Sequence, residues 1–282
     1  MDFIFMTKFD EIYQQTIKRI MVNGIEELNQ RTGLKTKALP GICFSLDLEK
    51  DGFPVLTLRK QPLKSPIAEQ CWFIQGSKNP EFLQKYTKIW NAFLDDDGTL
   101  SSAYGYRWRK RFKKDQLFEV IKCLKLDPSS RHAVVITWDP DDDGFLGTAK
   151  KNVPCPYTFT LNIIGGRLNM MNVVRSNDMI LGCPFDVFGF ALLQSMIAQK
   201  LGVKVGIYTH VIANAHIYEN HYEAANDLIS RQNKHNPIQL LLPLNSFDRA
   251  EKMDESIVDE IFANLESQYN PLPAINNLVI AL

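Results

Sequence analysis

Apolar side chains recur at helical spacing near the start of the chain, at Phe9, Ile12, Tyr13, Ile17, Ile20 and Met21, and predict a helix over residues 8–30. The pattern then breaks. QRTGLKTKALPG reads as a loop, and 41–47 (GICFSLD) and 54–59 (PVLTLR) read as strands on either side of the turn DGFP. Helical patterning returns over 65–76, 79–88 and 115–126, with DDDGT as a loop after the second of these. Runs rich in β-branched and aromatic residues predict strands at 133–138, 157–164, 168–174, 205–212 and 238–242. Gly165 and Gly166 read as the turn of a hairpin, and 184–201 and 216–231 as helices. Strands and helices mixed in this order predict an α+β fold with a substantial sheet.

Composition narrows the function. At 282 residues and 45% hydrophobic, the chain can bury a large core as one domain over 1–282. Lys+Arg and Asp+Glu are both 32, which argues against a general nucleic-acid binder yet leaves room for a local basic pocket. Cys43, Cys71, Cys123, Cys155 and Cys183 are odd in number and form no CxxC pair, so neither a disulfide scaffold nor a metal module is expected. No run approaches the roughly 18 apolar residues of a membrane span. MDFIFMTKFDEIYQ carries acids too early for a signal peptide, and the expectation is a cytoplasmic protein.

Several residues invite chemistry. Cys155 sits in VPCPY between two prolines at the entry to a strand, a rigid place for a nucleophilic thiol, although a buried structural cysteine fits the same pattern. In RSNDMILGCPFD (175–186), Arg175 and Ser176 end a strand in a way that suits a phosphate, with Asp178 and Asp186 nearby. Asp186 equally fits a helix N-cap. HIYENH (216–221) offers His216 and Tyr218 at a spacing that presents both to one ligand, and it lacks the four-residue offset of a helical metal pair. Arg131 opens a strand after DPSS, and Glu69 lies on an apolar helix face where a shifted pKa is expected.

Nine blocks, QRTG, DGFPVLTLRK, EQCWFIQG, IW (89–90), YGYRWR, DPSSRH, VPCPYTF, RSNDMILGCPFD and HIYENH, occur in an order that resembles thymidylate synthase and its relatives, from Arg31 to the C-terminus. The resemblance implies a thymidylate synthase-like fold, a large mixed sheet flanked by helices, and a homodimer formed through a sheet face. Cys155 would add to carbon 6 of a pyrimidine nucleotide. Arg31, Arg175 and Ser176 would hold its phosphate, joined by Arg131 from the partner. His216 and Tyr218 would bind the sugar 3′-hydroxyl, and Tyr104 would lie beside the thiol. Glu69 would organise water for proton transfers. Trp90, Asp178 and Gly182 would meet the co-substrate, 5,10-methylenetetrahydrofolate, and the C-terminal tail would close over it. No metal, membrane or nucleic-acid partner is implied.

The departures matter as much as the matches. Thymidylate synthases carry Asn where this chain has Asp186. A protonated carboxyl donates to the unprotonated ring nitrogen of cytosine and accepts from its amino group, whereas a carboxylate holds a ring-protonated cytosine. The RSNDMILG run with the later Asp186 resembles the phage deoxycytidylate hydroxymethylases, so dCMP is expected as substrate. Pro156 follows the nucleophile where the synthases have His, Phe93 stands where they have Trp, and His132 where they have a second Arg. The first two alter water access near the reacting carbon, and 5-hydroxymethyl-dCMP is the expected product. The alternatives are 5-methyl-dCMP, action on dUMP, action on CMP, and a non-catalytic nucleotide- or RNA-binding regulator.

Overall fold

Alternating inward and outward side chains in two long strands, β2 (Lys35–Asp47) and β7 (Lys204–Tyr218), build the molecule around one sheet. The computed structural model describes residues 6–144 and 153–281. β1 (Ile25–Leu28), β3 (Val134–Ile136), β4 (Pro156–Ile164), β5 (Arg167–Val174) and β6 (Asn177–Asp178) complete it. The order is β1-β2-β7-β5-β4-β3, with β6 paired to β7. β5 and β6 run parallel to β7 and the other neighbours are antiparallel, so the sheet is mixed.

Helices flank it: α1 (Lys8–Asn23), α2 (Lys64–Gln75), α3 (Glu81–Gln84), α4 (Tyr104–Tyr106), α5 (Gln116–Leu126), α6 (Gly182–Leu201), α7 (Tyr222–Ser230), α8 (Ser246–Glu251) and α9 (Ser256–Glu266). The apolar α6 buries residues all round, including Val187, Phe190, Leu193 and Ile197, as a central core helix must. Among the described residues no helix is long and apolar enough to cross a membrane.

The expected α+β architecture is present, with differences that have local causes. The first helix ends at Asn23, not near 30, and Ile25–Leu28 pairs with β2 as an exposed edge strand. At Gly24 the chain turns so tightly that a Cβ would lie 2.3 Å from the Ile20 carbonyl oxygen. Residues 54–59 are buried but join no ladder. The buried Asp10 carboxylate accepts instead from Thr57 N and Oγ1, at 2.9 and 2.5 Å. Likewise 238–242 is no strand, because Gln239 N and Leu241 N donate to the Gln268 and Asn264 side chains. The helix expected over 79–88 contracts to α3, and 216–231 divides into the end of β7, a 3₁₀ turn at Glu219–His221 and α7. The hairpin is as read: Ile164 pairs with Arg167 across Gly165 and Gly166, both at positive φ (59° and 73°).

Candidate active site

The cleft lies where the ends of β5, β6 and β7 meet the start of α6 and the N-terminal half of α2. Its volume is about 670 Å³, within the range of small-molecule sites. Arg31, Glu69, Trp90, Tyr104, Cys155, Arg175, Ser176, Asp178, Gly182, Asp186, His216 and Tyr218 all line it. Arg131 does not; it is exposed at the entry to β3.

Cys155 stands immediately before β4, and the register shift between Pro156 and Thr158 holds it off the regular ladder. Arg175, at the end of β5, clamps this segment. Its Nε and Nη2 donate to the Pro154 and Val153 carbonyls at 2.9 Å each, and Nη2 lies 3.8 Å from the Cys155 sulfur. Burial pushes the thiol above its usual pKa. Arg175 and Arg31 pull it down, while Asp186 and Asp178 push it up. The neighbouring arginines do lower this pKa, yet the net shift is upward, because one cation at 3.8 Å is outweighed by loss of water and by two nearby acids.

β6 matters because it is short. Its pairing sets Asn177 opposite Ala215 and Asp178 opposite His216, which delivers Asp178 and His216 to the same wall. Asp178 Oδ1 then accepts from the backbone N–H groups of Ile180 and Leu181 at 2.8 and 3.2 Å. His216 and Tyr218 follow each other along β7 with rings edge to face at 5.0 Å. Burial holds His216 below its usual pKa, so its ring is a neutral hydrogen-bonding group.

The opposite wall is aromatic. Trp90 packs against Trp72, Phe73, Phe93 and Tyr104, and its Nε1 donates to Glu69 Oε1 at 2.5 Å. Burial raises Glu69 to about 7 against the opposing pull of that bond, and burial raises the Tyr104 phenol well above its usual value, so it keeps its proton. Asp186 lies inside the first turns of α6, which Leu181 precedes as N-cap; the N-cap reading of Asp186 is thereby overturned. Its Oδ2 accepts from Asn177 Nδ2 at 2.7 Å, and burial raises its pKa to about 7 despite that bond.

A family model for thymidylate synthase matches residues 11–281. The chain belongs to the thymidylate synthase family. Family membership makes it a one-carbon transferase that uses a folate co-substrate and a pyrimidine nucleotide, in a family whose members work as dimers. The cleft fits two flat partners of that kind: cationic and polar groups gather on the Arg175–His216 side, and apolar rings on the Trp90–Phe93 side.

Sequence reading missed some of the residues that hold this site. Arg107, inside the YGYRWR block, is wholly buried against Asp143, with Nη2 to Oδ1 at 2.9 Å, and Asp143 lines the cleft just before the segment that leads to Cys155. Trp138 also lines it, with the Arg175 guanidinium 5.8 Å from its ring. Asn177 was passed over although it lies within a quoted block. No pattern in sequence marks these, because each acts through a partner far along the chain. Among the described residues no group of three His, Cys, Asp or Glu side chains is placed to hold a metal ion.

Proposed function

We propose that this chain hydroxymethylates carbon 5 of dCMP, working as a single catalytic unit over residues 1–282. The observation that carries the reading is the carboxyl of Asp186 lining the cleft, one oxygen held by Asn177 and its pKa raised to about 7 by burial. Near neutral pH such a group exists as an acid that donates to a ring nitrogen, or as a carboxylate facing a protonated ring. Both forms match cytosine, whose exocyclic amino group donates to the second oxygen. With uracil the acid hydrogen opposes the ring N–H, and a carboxylate that accepts from that N–H sets its second oxygen against a carbonyl oxygen.

In this reading the Cys155 thiolate adds to carbon 6, and carbon 5 becomes nucleophilic like an enamine carbon. Methylenetetrahydrofolate, when bound, supplies the one-carbon unit. Arg31, Arg175 and Ser176 hold the phosphate, helped by Arg131 of a second copy. His216 and Tyr218 hold the sugar hydroxyl, and Asp178, Gly182 and Trp90 meet the folate. Glu69, titrating near neutrality, holds and moves the proton lost from carbon 5. Tyr104 stays protonated beside the sulfur. With tetrahydrofolate returned as the leaving group when carbon 5 loses its proton, water adds to the exocyclic methylene carbon, the Cys155 sulfur leaves carbon 6, and 5-hydroxymethyl-dCMP is released. Pro156 and Phe93, smaller than the His and Trp of the synthases, support water over hydride as the entering group. Locations inside the cytoplasm and a dimer through the sheet face accompany the proposal.

The experiment is tritium release from carbon 5 of dCMP and of dUMP, with absorbance followed for dihydrofolate. Turnover of dCMP without dihydrofolate is expected, and Asp186→Asn shifts preference toward dUMP by a factor on the order of 10⁴. Faster turnover of dUMP by the unaltered protein would falsify the base assignment, and dihydrofolate formed with dCMP would make the product 5-methyl-dCMP. Cys155→Ala abolishes turnover and keeps nucleotide binding; turnover that persists removes the covalent route.

A further inference from the structure

Asp186 is joined to the interior of the sheet by a line of buried polar groups that the one-carbon chemistry does not use. Asn177 Nδ2 donates to Asp186 Oδ2 at 2.7 Å. Asn177 Oδ1 lies 3.0 Å from His210 Nε2, and His210 Nδ1 lies 2.8 Å from the Tyr208 hydroxyl. Asn172 Nδ2 reaches that hydroxyl at 3.4 Å. Asn172, Tyr208 and His210 are fully buried and Asn177 is 2% exposed. The sheet assembles the line: His210 pairs with Asn172 across β5 and β7, Tyr208 lies two residues before it on the same face, and β6 brings in Asn177.

The polarity of this line follows from the chemistry of its members. Burial lowers His210 to about 3, so the ring is neutral and carries one N–H and one lone pair. Burial raises the Tyr208 phenol well above its usual value, so it keeps its hydrogen. The Asn172 amide donates to the phenol oxygen, and the phenol donates to His210 Nδ1. The ring hydrogen is therefore on Nε2 and donates to Asn177 Oδ1. That leaves the amide nitrogen of Asn177 facing Asp186. Every bond points one way and ends on Oδ2. An oxygen that always accepts does not carry the acid proton. Oδ1 takes no hydrogen bond from any described residue and is not among the sealed buried atoms, so it is the oxygen open to the cleft.

We propose that Asn177, locked by His210 and Tyr208, is a positioning residue that confines the acid proton of Asp186 to its cleft-facing oxygen, making that oxygen a donor to an unprotonated pyrimidine ring nitrogen. The inference rests on the reading that Asp186 meets the base, and it explains how a carboxyl group discriminates as sharply as an amide: its donor and acceptor ends are fixed from behind. Asn177 is buried and does not line the cleft, so it acts through Asp186. The titratable groups facing Asp186 are Glu69 of α2, Asp178 of β6, Tyr104 of α4, Cys155 before β4, Cys183 of α6 and Tyr208 of β7. Glu69 and Asp178 disfavour its ionised form, and the Asn177 amide favours it. Losing that amide lets the proton occupy either oxygen and shifts ionisation to higher pH.

The test measures kcat/KM for tritium release from dCMP and dUMP across neutral pH, in the full chain and in Asn177→Leu, Tyr208→Phe and Asp186→Asn. In Asn177→Leu the cytosine-to-uracil ratio falls about tenfold, the worth of one hydrogen bond to a polar buried group. The fall is carried by dCMP, and the high-pH limb of the dCMP profile moves upward. Tyr208→Phe, which frees the histidine tautomer with little change of shape, lowers the ratio by a smaller factor. Should Asn177→Leu fail to fold, Tyr208→Phe decides. Equal losses for both substrates, or a ratio and pH limb unchanged in both variants, overturn the proposal. Asp186→Asn separates the two levels: if it reverses base preference while the other variants leave it alone, only the relay is wrong. If it leaves the preference unchanged, the reading of Asp186 falls and the relay with it.

Discussion

Cys155 has Arg175 Nη2 at 3.8 Å and still sits above the ordinary thiol pKa, because removal from water outweighs that cation and two nearby acids oppose it. The same balance governs the carboxyls: Asp186 and Glu69 both rise to about 7, chiefly through burial. In the unfolded chain a carboxyl titrates near ~4. Between about pH 4 and 7 the folded protein therefore binds more protons than the unfolded chain, so the stability contributed by the neutral Asp186 is present below that window and is lost as pH rises through it. Asp186→Asn removes this titration. The melting temperature of the variant, taken relative to the parent, is expected to rise between pH 5 and pH 8 in thermal denaturation. A difference that is constant across that interval would show that Asp186 ionises normally. At this scale much was legible in sequence: Cys155, Asp178 and Asp186 are carried by contiguous motifs. Asn177 was not, because its partner His210 lies 33 residues further on and only β6 brings them together.

Short elements do much of the positioning. α4 presents Tyr104 to the cleft, and it packs so closely on α2 that a Cβ at Gly105 would lie 2.0 Å from the Phe73 carbonyl oxygen. Backbone meets backbone there, so no side chain can yield. Gly105→Ala is expected to destabilise the protein by about 2–3 kcal/mol, read from urea denaturation, and to depress turnover by moving Tyr104. An unchanged midpoint would mean that α4 shifts freely. Elements were legible where one period ran undisturbed, as in α2, α5, β4 and β5. They were misread at 54–59 and 238–242, where the composition is that of strands but the backbone partners are side chains: Asp10 in the first case, Gln268 and Asn264 in the second. A local pattern records burial and does not record which group answers the backbone.

On the scale of the whole molecule, the sheet covers one face with helices and leaves Val134, Ile136, Met171 and Ile207 exposed on its strands. An apolar sheet face of this kind favours a partner. Arg131, exposed at the entry to β3 and outside its own cleft, is in our reading the residue that serves the partner's phosphate site. Arg131→Ala and Cys155→Ala should each lose activity, and mixing the two after dissociation should restore turnover that neither parent shows. In the mixed dimer one cleft has an intact Cys155 together with an Arg131 from its neighbour. Failure to recover activity, with mixed dimers demonstrated by sedimentation, would confine each site to one chain.

Composition and motif order alone determined the α+β class, the neutral overall charge, the family resemblance and many of the cleft residues, though not Trp138, Asp143 or the relay, because those properties are written in contiguous stretches and in residue types. The tertiary structure decided what those groups are at rest. It set the carboxyls near neutrality, held the thiol protonated, took Glu69 onto Trp90 and tied Asp186 to Asn177, because burial and hydrogen-bond partners arise only when distant strands and helices enclose a shared space.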